Sequence, residues 1–258
     1  MLVFRQLFDA ESSTYTYLLG DDISRECLLI DPVNEKYERD LRLIEELGLR
    51  LKVVLDTHCH ADHVTAAWTL SKKTEAKIGI SMTSGAEGAD LMLKSGDKVY
   101  FGQRFLLALA TPGHTSGCIT FVLDDRGMAF TGDTILVRGC GRTDFQEGDP
   151  AILYQSIYEE IFRLPDDTKL YPGHDYNGFT VTSVIEEKVF NQRLRKEVSQ
   201  DDFQSHMKNI RLDMPKKIDS VLPVNLKCGA PVSGGGWSVP NASFRLSVDV
   251  GYDDGGGI

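Results

Sequence analysis

The sequence predicts an α/β protein in which helices cover a sandwich of mixed or antiparallel β-sheets. Three observations lead to this prediction: short strand-like runs dominate the first half of the chain, helix-like segments interrupt and follow them, and 41% of the 258 residues are hydrophobic. Alternation of this kind is typical of layered proteins whose elements share a core. The length and hydrophobic content suffice for one large domain.

The predicted strands are rich in β-branched and aromatic residues and are closed by acidic, Gly or Pro residues. They cover residues 2–8, 14–20, 26–32, 51–57, 77–80, 98–101, 104–111, 118–125 and 127–133. The first of these follow one another closely, which predicts sequential antiparallel pairing.

Helices with defined bounds are predicted at residues 35–49, 150–164 and 183–198. Apolar residues of the first recur close to the helical period, and Gly48 stands where a C-terminal cap would be. Pro150 suits the first turn of the second helix.

The chain divides into two parts by composition. Residues 1–228 carry the predicted strands and helices and are expected to form the functional domain. Residues 229–258 are rich in Gly and Ser, with one strand predicted at "FRLSVDV" (244–250). This part is expected to be an extension outside the core.

Charge and composition argue against several partners and locations. The formal net charge is -10 and the pI is about 5.1, which opposes binding to nucleic acid or to an anionic membrane. No apolar run approaches the ~20 residues that span a bilayer. The five cysteines form no C-x-x-C pair, so we expect free thiols in a reducing compartment. The N-terminus shows no targeting signal, so we expect a cytoplasmic protein, or a mitochondrial-matrix protein if a transit peptide was removed.

Most of the histidines follow apolar strands. Five of the six lie in "THCHADH" (57–63), "TPGHTSGC" (111–118) and "YPGHDYNG" (171–178), and "FTGDT" (130–134) adds Asp133 in the same setting. Strand ends can converge on one edge of a sheet, and imidazole with carboxylate suits zinc, iron or manganese. Cys59, between two histidines, is expected to point away from the side they share. The sequence therefore predicts a metal site.

With these segments the sequence resembles the metallo-β-lactamase superfamily. Its H-x-H-x-D-H motif corresponds to His58, His60, Asp62 and His63, and its later motif residues correspond to His114, Asp133 and His174. The resemblance covers about residues 1–228. It implies an αββα sandwich, two mixed β-sheets flanked by helices, with the metal at one edge of the paired sheets. Membership alone does not fix the reaction.

Two glutathione-linked branches of the superfamily are candidates. The segments "GCGRTDFQ" (139–146) and "NIRLDMPKKIDSVLPVNLKCG" (209–229) resemble the persulfide dioxygenases. Glyoxalase II, a thioester hydrolase with a binuclear metal site, usually carries His where this chain has Cys118. The flanking segments therefore favour the dioxygenases, although the ligand motif itself allows either branch.

The dioxygenase resemblance implies one Fe(II) per chain, held by His58, His114 and Asp133. The remaining motif residues, which would bind a second ion in the hydrolases, would surround the iron without binding another metal: His60, Asp62, His63 and His174. The implied reaction oxidises glutathione persulfide with O2 to sulfite and glutathione. Two histidines and one carboxylate leave coordination positions open for such chemistry.

An acidic protein needs local cations to bind the two carboxylates of glutathione. Arg142 and Arg193 are the predicted carboxylate ligands, because arginine pairs well with carboxylates, and Tyr176 is a predicted hydroxyl donor. Arg193 could instead be an exposed charge near a helix C-terminus. Asp175 is expected to brace its turn.

Other residues receive ordinary structural interpretations. Cys140 and Cys228 are expected to be buried cysteines, His206 to lie exposed on a helix, and Trp68 to belong to a helix packed on a sheet. A homodimer and a functional link to a sulfurtransferase are further expectations. An RNA-processing enzyme is disfavoured by the acidic charge, and a non-catalytic metal scaffold by the intact ligand motif.

Overall fold

Two six-stranded β-sheets pack face to face in the computed structural model, which describes residues 1–232. The first contains, in spatial order, β1 (Leu2–Asp9), β2 (Thr14–Asp21), β3 (Glu26–Ile30), β4 (Arg50–Leu55), β5 (Lys77–Ser81) and β6 (Leu91–Leu93). The second contains β12 (Thr182–Ser183), β11 (Lys169–Pro172), β10 (Met128–Gly132), β9 (Ile119–Leu123), β8 (Arg104–Ala110) and β7 (Lys98–Phe101).

Both sheets are mixed. Strands β1 to β3 pair antiparallel, as the sequence predicts, whereas β3 to β6 pair parallel. In the second sheet only β10 and β11 are parallel neighbours.

The helices are α1 (Tyr37–Glu46), α2 (Ala67–Thr74), α3 (Pro150–Ser156), α4 (Val184–Phe190), α5 (Gln200–Asn209) and α6 (Ile218–Asn225). A 3-10 turn at Asn34–Lys36 precedes α1, and α3 continues into a π-helical turn at Ile157–Ile161. Side-chain caps begin several of them: Asp149 accepts hydrogen bonds from N–H groups at the start of α3, and Ser183 and Ser199 do so for α4 and α5. Within residues 1–232, no helix has the length and apolar character needed to cross a membrane.

Alternating strand residues fill separate apolar layers. Leu19, Leu28 and Phe121 lie in the layer between the sheets. Leu18 and Leu29 face the opposite way, into the layer that contains residues of α1 and α2. A corresponding layer lies between the second sheet and α3 and α5. Each sheet is thus buried on both faces, and the αββα sandwich is confirmed.

The predicted helix at residues 183–198 is wrong beyond Phe190. Asn191 is extended (ψ 113°) and completely buried. Its side chain accepts a hydrogen bond from the Arg193 backbone N–H at 3.0 Å and donates to Glu187 and to the Gly139 carbonyl. This network ends the helix and carries Arg193 towards the loop at 139–146, so Arg193 is not an exposed charge at a helix C-terminus.

Three elements escape the sequence analysis. Strands β6 and β12 contain only three and two residues, too few for a period-two pattern. Helix α6 contains Pro223, a residue that argues against a helix interior.

The described chain continues to Val232, which packs against Val64, Val221 and Val224. The predicted boundary after residue 228 stays a prediction. The predicted strand at 244–250 lies outside the described residues.

Four strands end at one edge of the sandwich. His58 follows β4, His114 follows β8, Asp133 follows β10 and His174 follows β11. Backbone hydrogen bonds join the two sheets there: Ile119 donates to the Thr57 carbonyl and Tyr15 to the Gly173 carbonyl, both at 2.9 Å. The predicted convergence of strand ends is therefore present.

Candidate metal centre

The predicted His and Asp ligands form two adjacent groups. His58, His114 and Asp133 offer donor atoms within 4.8 Å of one another, and the same holds for the second group, which consists of His60, Asp62, His63 and His174. The His58 and His60 ring centroids lie 4.1 Å apart. Members of both groups line one cavity of about 640 Å³.

A hydrogen-bond chain that starts at Asp31 orients His58. The Asp31 carboxylate accepts hydrogen bonds from the Thr57 backbone N–H at 2.7 Å and from the Thr57 hydroxyl at 2.8 Å. Because that hydroxyl proton is used, the Thr57 oxygen accepts from His58 Nδ1 at 3.0 Å. A proton on Nδ1 leaves the Nε2 lone pair for a metal. All three residues are buried.

A backbone carbonyl orients His114. Its Nδ1 lies 2.7 Å from the Arg142 carbonyl oxygen, and since a carbonyl only accepts, Nδ1 carries the proton. The other ring nitrogen, Nε2, lies 3.7 Å from Asp133 Oδ2. Gly141 makes this approach feasible, because a Cβ there would lie 2.7 Å from His114 Nδ1. Burial lowers the pKa of both His58 and His114, which favours their neutral, metal-binding forms.

His174 lies between two carboxylates. Its Nδ1 is 2.7 Å from Asp133 Oδ1, and its Nε2 is 3.1 Å from Asp62 Oδ2. Burial disfavours the charged ring, but Asp133 and Asp62 outweigh it and hold the pKa of His174 well above its ordinary value. Burial would also raise the pKa of Asp133, yet His174 and His114 keep it below its usual range. The ionised Asp133 can therefore use Oδ1 for His174 and Oδ2 for a metal.

The second group is partly self-paired. His63 Nδ1 lies 3.0 Å from Asp62 Oδ2, and the Thr14 hydroxyl lies 3.1 Å from His174 Nε2. Among the described residues, however, His63 Nε2 and both His60 ring nitrogens are buried without an aligned hydrogen-bond partner. His60 Nε2 is 3.1 Å from Asp31 Oδ1 but lacks hydrogen-bond geometry. These nitrogens could bind a second metal ion.

The donor set fits a divalent transition metal. The triad of His58, His114 and Asp133 combines two neutral imidazoles with one carboxylate, and each side chain uses its other polar atom to fix its orientation. Two histidines and one carboxylate form the ligand set of many non-haem iron sites, and zinc accepts the same donors.

The predicted substrate-binding residues all line the cavity but differ in their contacts. The Arg142 guanidinium binds Asp144 at 2.6 and 2.7 Å and donates to the carbonyls of Leu212 and Asp213. The exposed Tyr176 ring lies parallel to the His174 ring, with centroids 6.2 Å apart. Arg193 lies beside the Cys140 thiol and forms no ion pair with a carboxylate in the described structure.

Several structural expectations are confirmed. The Cys59 thiol points away from the metal ligands, towards the carbonyls of Ser84 and Asn225. Asp175 braces its turn by accepting hydrogen bonds from the N–H groups of Asn177 and Thr180. Cys140 and Cys228 are buried and free, His206 is exposed on α5, and Trp68 lies on α2.

The sequence analysis missed Asp31, Thr57 and Thr14. Asp31 directly follows β3 at the metal edge, so the strand-end rule that identified Asp133 could also have identified it. Thr57 gave no signal beyond its place before His58. Thr14 begins β2, and its role depends on contacts with residues distant in sequence.

Comparisons with known proteins agree with this geometry. The family model described as the metallo-beta-lactamase superfamily matches residues 10–174. The human protein named "Persulfide dioxygenase ETHE1, mitochondrial" is 52% identical over 229 residues, which cover 88% of this chain and 89% of the relative. The crystal structure of ETHE1 from Myxococcus xanthus superposes with a TM-score of 0.86 at 50% identity and covers 88% of this chain and 100% of that one. A hydroxyacylglutathione hydrolase from Thermosynechococcus vestitus is 31% identical over 204 residues, 78% of each protein.

Replacement of Thr57 with Val should weaken metal binding by about 10- to 100-fold, because His58 loses the partner that fixes its Nδ1 proton. Thr57→Ser keeps the hydroxyl and should retain most of the affinity. The measurement is a titration of the metal-free protein with Fe(II) or Zn(II) in the presence of a competing chelator. Equal losses in the two variants would show that the hydroxyl has no orienting role.

The cysteines should react slowly with a thiol reagent in the folded protein. Burial raises the pKa of Cys140 to about 11 and the pKa of Cys27, Cys59, Cys118 and Cys228 to about 12. The thiolate is the reactive form, so labelling at about pH 8 should be slow and should accelerate as the pH rises. Denaturant should release all five thiols. Fast labelling of any thiol in the native protein at this pH would contradict the expectation.

Proposed function

The chain belongs to the metallo-β-lactamase superfamily and, within it, to the persulfide dioxygenases, and we propose that it oxidises glutathione persulfide with O2 at a single Fe(II) ion. The products are sulfite and glutathione: O2 supplies two oxygen atoms of sulfite, and a water molecule supplies the third together with the proton that glutathione takes up. The enzyme class rests on the identity of about half of all aligned residues to named persulfide dioxygenases, against 31% to the hydroxyacylglutathione hydrolase.

The observation that carries the metal assignment is the triad of His58, His114 and Asp133. Each side chain has one polar atom held by a hydrogen bond and one left as a donor. When bound there, Fe(II) supplies open coordination positions and the redox capacity to combine O2 with a persulfide sulfur. The fixed side chains of the triad would then set the position of the ion and tune its redox potential.

The residues around the triad orient its side chains in this proposal. His174 holds Asp133 in place through a 2.7 Å hydrogen bond and links it to Asp62 at the cavity wall. Asp62 is partly exposed, with 29% of its side chain accessible, and although burial opposes the charge, His174 and His63 hold its pKa below the usual range, so it stays ionised and fixes both rings. His60 and His63 surround the site from the buried side.

The glutathione part of the substrate lies along the cavity wall formed by Arg142, Tyr176 and Arg193. Arg193 pairs with a carboxylate of glutathione, because its charge is not neutralised by a carboxylate within residues 1–232. Tyr176 donates its hydroxyl to the peptide. Arg142 contributes mainly through the wall that it holds, since its guanidinium already binds Asp144 and two carbonyls.

A binuclear hydrolase of the glyoxalase II type is the second candidate. The specific observation in its favour is the set of unpartnered ring nitrogens on His60 and His63, which could bind another ion. Two zinc ions would generate a bridging hydroxide for thioester hydrolysis and would consume no O2.

Location and partners complete the proposal. A cytoplasmic location, a homodimer and a functional link to a sulfurtransferase stay predictions. The human relative carries "mitochondrial" in its name, which keeps the matrix as the alternative compartment.

The purified protein should contain about one iron per chain and consume O2 when it receives glutathione persulfide. His114→Ala should lose iron and turnover together, because it removes a ligand nitrogen. His206→Ala is the matched control, since His206 is exposed on α5, and it should retain both. Metal analysis and oxygen-electrode traces measure the outcome. Two zinc ions per chain, with hydroxyacylglutathione hydrolysis and no O2 uptake, would favour the hydrolase instead.

Arg193→Ala should raise KM for glutathione persulfide by about tenfold while kcat changes little, because the charge-assisted hydrogen bond to a carboxylate of glutathione is lost. Arg195→Ala is the control: Arg195 is exposed and faces Glu197 at 3.7 Å. Steady-state O2 uptake gives both constants. An unchanged KM in Arg193→Ala would remove Arg193 from the substrate site.

A further inference from the structure

A second cavity lies at the opposite end of the sandwich from the metal. Its volume is about 470 Å³, and its walls come from β4, β5 and β6 of the first sheet and from β7 of the second. We call it the basic cleft, because four of its lining residues are cations: Arg50, Lys52, Lys77 and Lys98. Strand β4 runs from this cleft to the His58 segment, a length of about 20 Å.

The basic cleft carries an excess of positive charge in a protein of net charge -10. Glu26 contacts Arg50 at 2.6 Å and Lys52 at 3.6 Å, and Glu75 is the one carboxylate among the lining residues. Neither Lys77 nor Lys98 forms an ion pair with a carboxylate in residues 1–232; Lys98 lies over the Phe105 ring at 4.5 Å. Four cations against two carboxylates leave two positive charges without partners.

Strand β4 is irregular beside this cluster. The register with β3 shifts between Cys27 and Leu28, so that Leu51 and Val53 pair across it and Lys52 is the extra residue. A bulge of this kind re-aims a side chain relative to regular alternation. Leu51 and Val53, two residues apart, therefore face different apolar layers, while Lys52 and Arg50 both lie beside Glu26, whose other oxygen accepts a hydrogen bond from the Gly102 N–H at 3.0 Å.

The floor of the basic cleft is apolar. Leu51, Val53 and Val99 are buried there, and the exposed Tyr100 ring stands at the rim, 5.5 Å from the Phe105 ring centroid. Cations at the rim suit phosphate groups, whereas an aliphatic floor beside an aromatic ring suits a flat, weakly polar ring. The volume lies in the range of small-ligand sites.

We propose that the basic cleft binds a nucleoside polyphosphate, with its phosphates at Lys77, Lys98 and Lys52 and its base against the exposed Tyr100 ring. A longer nucleic acid does not fit this assignment, because the chain has a net charge of -10 and the cationic cluster is confined to one cavity. The site is separate from the metal centre and does not depend on the proposed reaction.

The test uses the full chain and ADP as the probe, with isothermal titration calorimetry at about 50 mM salt, where screening is modest. The double variant Lys77→Glu with Lys98→Glu should bind ADP at least about tenfold more weakly than the unchanged protein. The control is Lys72→Glu with Lys196→Glu, which makes the same charge change at exposed lysines outside the cleft and should keep the affinity. Both variants should retain the dioxygenase activity and melting temperature of the unchanged protein.

Adenosine and inorganic pyrophosphate divide the ligand into its parts, and each should bind more weakly than ADP. No ADP binding at about 1 mM would overturn the proposal, as would equal weakening in the cleft and control variants. Pyrophosphate that binds as tightly as ADP would overturn the assignment to a nucleotide, because the apolar floor would then contribute nothing.

Discussion

The lone pair that each metal-binding histidine offers depends on where its other nitrogen keeps its proton. The Thr57 hydroxyl oxygen accepts a hydrogen bond from His58 Nδ1, and the Arg142 carbonyl oxygen accepts one from His114 Nδ1. Asp31 anchors the first of these contacts through two hydrogen bonds to Thr57. The metal centre therefore relies on partners that lie outside the ligand set, in segments that follow three different strands: Asp31 follows β3, Thr57 follows β4 and Arg142 lies in the loop after β10.

This arrangement requires backbone to approach side chains closely, and glycines at the strand ends allow it. Gly132 has φ +50°, and a Cβ there would lie 2.5 Å from the Thr57 hydroxyl oxygen. A Cβ at Gly173 would lie 2.8 Å from Asp133 Oδ1, the atom that contacts His174. The absence of side chains at these positions keeps the hydrogen-bond partners of the ligands within reach.

Sequence reasoning recovers the features that repeat along the chain. Apolar strands that end in His or Asp predicted the shared edge, and the order of short strand-like runs and helix-like segments predicted the layered sheets. Features that depend on distant contacts were not recoverable. The helix at 183–198 was predicted too long because the buried Asn191 ends it through bonds to Gly139 and Glu187, which no local pattern reveals. Thr14 likewise gains its role from Asp62 and His174. The resemblance to the dioxygenases supplied the reaction, which spacing alone left open.

Arg142 joins two parts of the molecule that have separate tasks. Its guanidinium holds the carbonyls of Leu212 and Asp213 at the cavity wall, and its own carbonyl fixes His114. A replacement removes the guanidinium contacts with the wall, and because His114 is held by the backbone carbonyl of the same residue, any backbone adjustment there also reaches the metal ligand. Arg142 therefore offers little freedom to reshape the cavity, whereas the side chains of Tyr176 and Arg193 form no hydrogen bond with His58, His114 or Asp133 in residues 1–232. Among related enzymes, changes in substrate range should accumulate on the Tyr176 and Arg193 side of the cavity.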